Sequence, residues 1–341
     1  CLSNIRIANQ SCKTHDPPCM LPPGTPPSCN DTTGLPWIRH DGITNPDMAN
    51  YDHDRLINMT SAVISLSRAY YFGRRQQYGT TAAMLLRTWF LDSATAQSPT
   101  SGLNYGHFIP GVTNGSHGAM IDIHEWAELV DAVAMLWCAS NETHTDNTVN
   151  TANNTTASIA TDNTTNTNTA NTANIVDSVW SSDDDKALRA WFKSFLHWMN
   201  TSPLAQGELN ATNNHGVWFD VQVVAIARFV NDSKTFNEAV ERTHSRVETS
   251  IRPNGTMPAE LARTKSWSYS EFCLDAFFHL ASLMGDDSLW KYKTSEGASI
   301  QKALDWQLQY VGAHAPPWPY QQIEPFSTNC TQNMITQCET S

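Results

Sequence analysis

Charge is scarce in this chain. Only 16 % of its residues are Asp, Glu, Lys or Arg, against roughly 25 % in an ordinary soluble domain. Basic residues are scarcer still: 21 against 33 acidic ones, for a net charge of −12. A general grip on nucleic acid is excluded, because phosphate neutralisation needs a basic face. No apolar run reaches the roughly 20 residues of a membrane span. None of the eight cysteines forms a CxxC pair, which removes zinc ribbons and thioredoxin-type motifs. GxxxxGK[ST] and GxGxxG are both missing, so there is no phosphate loop. His124-Glu125 does not continue to HExxH. Strand signals are sparse, since Asn114-Gly115 and Asn254-Gly255 are not flanked by alternating apolar runs.

What remains is an apolar, helix-patterned chain of 341 residues, 40 % hydrophobic. Residues 54–72, 77–92, 121–138, 217–231, 233–251, 269–284 and 296–311 carry apolar side chains at three- and four-residue steps. Another helix opens at Asp183, Asp184 and Asp185, whose charge suits a helix N-terminus. Eight or more helices of similar length predict an all-α fold of stacked helical hairpins.

The two ends and one internal tract depart from that pattern. Residues 1–36 are proline-rich, irregular and hold four cysteines; residues 316–341 are similar and hold two. Such segments bury little surface, so disulfides are their natural clamps. Cys138 and Cys273 fall in helical stretches, where a reduced cysteine is the alternative. Of residues 140–174, 22 are Asn or Thr. That composition cannot form a core and predicts a disordered, glycosylated insert within one helical body, residues 37–315. Thirteen N-x-S/T sequons and an even cysteine number predict a secreted, N-glycosylated protein that has lost its signal peptide.

Three segments concentrate chemistry. Leu209 to Asp220 runs Asn213-Asn214-His215 straight into an apolar helix; an N-cap with an incidental His would explain it equally. Met257 to Ser270 gathers Glu260, Arg263, Lys265, Trp267 and Tyr269, and could also be a solvated loop. Ser101 to Gly111 is a Gly-rich loop with Asn104, Tyr105 and His107.

Asn-Asn-His before a Trp-containing helix, followed by an Arg six residues ahead of a Tyr, resembles the alginate lyase superfamily. That group holds polysaccharide lyase family 5 and the related family 38. Trp89-Phe90-Leu91-Asp92, Asn104-Tyr105, Ile109-Pro110-Gly111 and Glu260 to Trp267 are similar to eukaryotic members. The resemblance spans about residues 36–315. It implies an incomplete (α/α) toroid, an anionic polysaccharide substrate, and a monomer without metal or cofactor. In family 5 the Arg-to-Tyr spacing is usually seven; here it is six.

The resemblance also implies roles. A lyase removes H5 beside the sugar carboxylate and expels the O4-linked sugar. Asn214 and Arg263 would neutralise the carboxylate, by amide donors and a planar cationic fork. Tyr269 would carry the proton, tuned by His215 and Arg263. In β-1,4-linked D-mannuronate or D-glucuronate, H5 and O4 share one ring face, so one Tyr can serve both. In L-guluronate they oppose, and His215 would be the base. Asn104, Tyr105, His107, Trp267 and Arg39 are candidate subsite contacts. Two other readings stand beside this one. A toroid hydrolase would draw two carboxylates from Glu125, Glu128, Asp220 and Glu260; a non-catalytic polysaccharide binder would not need Tyr269.

Overall fold

A computed structural model of the chain describes residues 41–42, 52–100, 117–141, 178–312 and 314–325. The arm 1–36, Arg39, Asn104, Tyr105, His107, residues 142–177 of the Asn/Thr-rich tract and the cysteines other than Cys138 and Cys273 lie outside the described residues.

Helix α1 (His53–Gly73) buries Leu56, Met59, Val63, Ile64, Ser67 and Tyr70, one stripe at three- and four-residue steps. Helix α2 (Gln76–Leu86) runs into a single π turn, Arg87–Leu91, which buries Trp89 and Phe90. A 3₁₀ turn, His117–Ile123, precedes α3 (Trp126–Asn141). The periodicity placed one helix from residue 121. It is split here because the tighter 3₁₀ turn closes with the backbone bond from His124 to Ile121.

Helix α4 (Ser182–Thr201) begins with a capping box. The Ser181 hydroxyl accepts from the Asp184 N–H, and the Asp184 carboxylate accepts from the Ser181 N–H. The short α5 (Pro203–Leu209) follows. Then come α6 (Asn214–Phe229), α7 (Ser233–Ser250), α8 (Pro258–Leu261), α9 (Ser266–Met284), α10 (Ser288–Lys291) and α11 (Ile300–Leu308). Among the described residues there is no strand, only one isolated bridge between Lys265 and Gln322.

The packing forms a row. Helices α1, α3, α6 and α9 each lie against the next, while α2, α7 and α11 pair with α1, α6 and α9, and α4 lies against α6. The ends of the row, α1 and α9, do not form a packed pair. This is the incomplete (α/α) toroid. Helix α6 is its axis: every residue except Arg228 is buried. Aromatic side chains fill the space between α3, α4 and the π turn. Phe90 meets Trp191 edge-on with centroids 4.8 Å apart, and Trp126 meets Phe195 at 5.3 Å. Removing one such ring costs about 3–5 kcal/mol.

The Asn/Thr-rich tract leaves and re-enters the body at one place. The Ser178 hydroxyl donates to the carbonyl of Ser140 at 3.2 Å, and the Asn141 amide points to the carbonyl of Trp180 at 3.5 Å. Helices on both sides of it, α3 and α4, both pack against α6.

Candidate active site

Helix α6 starts at Asn214, three residues earlier than its apolar run, so Asn214 and His215 fall in its first turn. The segment before it is pinned from below. Asp220, fully buried, accepts from Arg242 (2.7 Å) and Arg246 (2.8 Å) of α7. Arg246 passes on to the carbonyls of Leu209 (2.6 Å) and Ala211 (2.9 Å). The fit demands glycine at 216: a Cβ there would stand 2.1 Å from the Ala211 oxygen and 2.5 Å from Arg246 Nη1.

Above this support lies a cleft of about 530 Å³, lined by Asp41, His117, Gly118, Ala211, Thr212, Asn213, His215, Ala259 and Arg263. Four segments distant in sequence build it: the Asp41–Gly42 turn, the 3₁₀ turn, the entry to α6, and the loop from α8 to α9.

Two histidines share one acid. Glu208, at the end of α5 and 1 % exposed, meets His215 Nδ1 at 2.6 Å and His117 Nδ1 at 2.9 Å. An ionised carboxylate only accepts, so Nδ1 of each ring is the atom that donates to it.

On the opposite wall, Arg263 lies over the ring of Tyr269, Cζ 3.7 Å from the centroid. Its Nε and Nη2 both donate to Asp41 Oδ1, at 2.8 and 2.6 Å. Burial alone would raise the Asp41 carboxyl; hydrogen bonds from Arg263 and Thr264 outweigh it and hold it at about 2.

Residues 7–175 and 158–318 match the alginate lyase family. The chain belongs to the alginate lyase family. It is also similar to a solved structure of an alginate lyase from Bacteroides ovatus, at 29 % identity and a TM-score of 0.72. The match covers 89 % of this chain and 71 % of that one. No curated protein matches the chain. Family and fold agree, and the protein is a polysaccharide lyase.

In the lyase His215 and Arg263 line the same cleft, whereas Tyr269 is not among the lining residues and joins them through its contact with Arg263. Asn214 is placed differently. It is 1 % exposed, and Asn213 rather than Asn214 lines the cleft. The Asn214 backbone N–H donates to Glu260 Oε1 at 2.6 Å, and its Nδ2 to Glu260 Oε2 at 2.7 Å. Its Oδ1 is buried without a hydrogen bond. Burial pushes the Glu260 carboxyl up, with the Asn214 bonds pulling the other way. The buried Cys273 thiol also reaches Glu260 and is pushed well up by desolvation. Cys273 and Cys138 form no disulfide among the described residues.

Trp267 is fully buried and packs edge-on against Trp318 at 5.0 Å. It anchors the segment 318–322 rather than lining the cleft, and the Trp318 indole donates to Ser266 Oγ at 2.8 Å. Asn213 occupies the N-cap position of α6, as the cap alternative has it, but makes no side-chain bond to the helix, and His215 is engaged by Glu208. Sequence reasoning missed Glu208 and Asp41. Glu208 sits seven residues before His215, in a helix too short to show a period.

Proposed function

We propose that this lyase cleaves β-1,4-linked uronate polymers, mannuronan or glucuronan, by β-elimination. The observation that carries the reading is the stack of Arg263 on Tyr269 beside a cleft that also holds His215. H5 of a uronate is weakly acidic while its carboxylate is charged. Arg263 offers that carboxylate a cationic planar fork, and the enolate-like intermediate is stabilised where its charge develops. Asn214 is taken up by Glu260 and lies outside the cleft lining, so Arg263 carries this role. Tyr269 takes H5 and returns a proton to O4, which a single residue can do when both lie on one ring face. In L-guluronate H5 lies on the opposite face, out of reach of this single-residue route, and His215, held at Nδ1 by Glu208, would have to be the base there.

The hydrolase reading loses its acids. Glu128 pairs with Arg68 at 2.7 Å, Glu125 accepts from Ser61, Asp220 is locked by two arginines, and Glu260 braces Asn214. None of the four lines the cleft.

Polymannuronate, polyglucuronate and polyguluronate are incubated with the protein while ultraviolet absorbance of a 4,5-unsaturated uronate is followed. Rising absorbance on the first two is the expected outcome. New reducing ends without that absorbance would establish hydrolysis, and binding with neither would establish a non-catalytic receptor.

We further infer a secreted, N-glycosylated, monomeric enzyme. Asn58, Asn141, Asn200, Asn210, Asn231 and Asn254, the sequon asparagines among the described residues, are all exposed. No helix among the described residues is long and apolar enough to cross a membrane. Expression in a eukaryotic secretory host, with a mass drop on glycosidase treatment, tests this. A single species without sugar would refute it.

A further inference from the structure

We propose that Asp41 is a positioning residue of the lyase site, holding the Arg263 guanidinium over the Tyr269 ring with one edge left for substrate. This rests on the β-elimination reading above.

The geometry is specific. One oxygen of Asp41 takes both Nε and Nη2 of Arg263. The other oxygen takes the Thr264 backbone N–H at 2.8 Å and its hydroxyl at 2.9 Å. The Asp41 backbone carbonyl lies 2.9 Å from the same hydroxyl. Gly42 closes the turn at φ 74°, and a Cβ there would stand 2.6 Å from Thr264 Oγ1. An Asp-Gly turn therefore fits against Arg263-Thr264 where a bulkier pair does not.

Arg263 is thus held on two sides, by the Asp41 carboxylate at one edge and by the Tyr269 ring on one face. Nη1 makes no hydrogen bond among the described residues and is the edge left over. A guanidinium so held gains orientation at a cost in free charge. Asp41 offsets part of its charge and fixes its direction, so a uronate carboxylate meets directed, still cationic N–H donors rather than a loose side chain. That suits a transition state, which rewards placement over affinity. It also agrees with a chain of net charge −12.

A blocking role is the competing possibility: Asp41 could sit where the uronate carboxylate belongs. The bonds to Thr264 speak against it, because displacing Asp41 would break those as well as the Arg263 pair.

Asp41→Ala and Asp41→Asn are compared with the unaltered protein on polymannuronate and polyglucuronate. Rate is read from unsaturated product and affinity from calorimetry with a mannuronate tetrasaccharide. The expected result is a kcat lower by about 10²-fold, the usual penalty for a misplaced catalytic group, with tetrasaccharide affinity unchanged or tighter. Faster turnover would show Asp41 to be a block. An affinity loss equal to the turnover loss, or an unaltered kcat, would also overturn the proposal. If neither variant folds by far-ultraviolet dichroism, Asp41 is a stability residue only and the proposal falls. Failure of the underlying lyase reading shows separately, as absence of unsaturated product from the unaltered protein.

Discussion

The guanidinium of Arg263 rests on the ring of Tyr269, 3.7 Å from its centroid, six residues apart in sequence and on either side of a helix start. The stack places the cation that neutralises a uronate carboxylate next to the phenol that moves its proton. Replacing Tyr269 with Phe keeps the ring under Arg263 and removes only the hydroxyl. Turnover should fall by about 10²–10⁴-fold, the range for a positioned acid–base group, with oligouronate affinity largely kept. Full activity in that variant would remove Tyr269 from the mechanism.

Glu208 fixes the tautomers of His215 and His117 together. Gln at 208 has one acceptor and one donor, so one of the two rings must turn or change tautomer. A drop in kcat of about 10²-fold is expected, with altered ring-nitrogen resonances for His215 in magnetic resonance. Unshifted resonances together with normal kcat would show that Glu208 orients neither ring.

Gly216 is placed where no side chain fits. Ala there forces the Ala211 carbonyl and Arg246 apart and loosens the cleft wall. Overpacking of this kind costs about 1–3 kcal/mol. Urea midpoints measure it, and a midpoint equal to that of the unaltered protein would contradict the packing argument.

Acid should weaken the joint between the π turn and α4. Two bonds from Arg87 to Asp184, helped by the Ser181 cap, hold the Asp184 carboxyl at about 2, below the roughly 3.9 of an unfolded chain. The folded state therefore binds fewer protons. The stabilisation is complete above about pH 4 and disappears as pH falls through about 2. The difference in melting temperature between the unaltered protein and Asp184→Asn should shrink over that window. A difference constant down to pH 2 would assign the stability to packing instead.

Deleting residues 144–172 should leave turnover and melting temperature in place, because the tract's two roots already touch through Ser178 and Ser140. Loss of the helical fold would show the tract to be structural.

Much of the fold was legible because helices are local. Apolar residues three and four apart mark a buried stripe whatever they pack against, so α1, α4, α7 and α9 were found close to their true bounds. The short α5 escaped, since seven residues show no period. The toroid itself came from family resemblance, because periodicity says which residues face inward and not which helix they meet.

The site divides in the same way. The family resemblance, carried by residue types and their spacing, marked His215, Arg263 and Tyr269, which lie within two short stretches of chain. The scarcity of charge, the Asn/Thr-rich tract and the helical body were also fixed by composition and local order alone. Tertiary structure decided the rest. It turned Asn214 inward onto Glu260, 46 residues away, and buried Trp267. It also brought Asp41 across 222 residues to Arg263. Such pairs are set by where helices stop and how they stack, and no local pattern in a sequence encodes a distance of that kind.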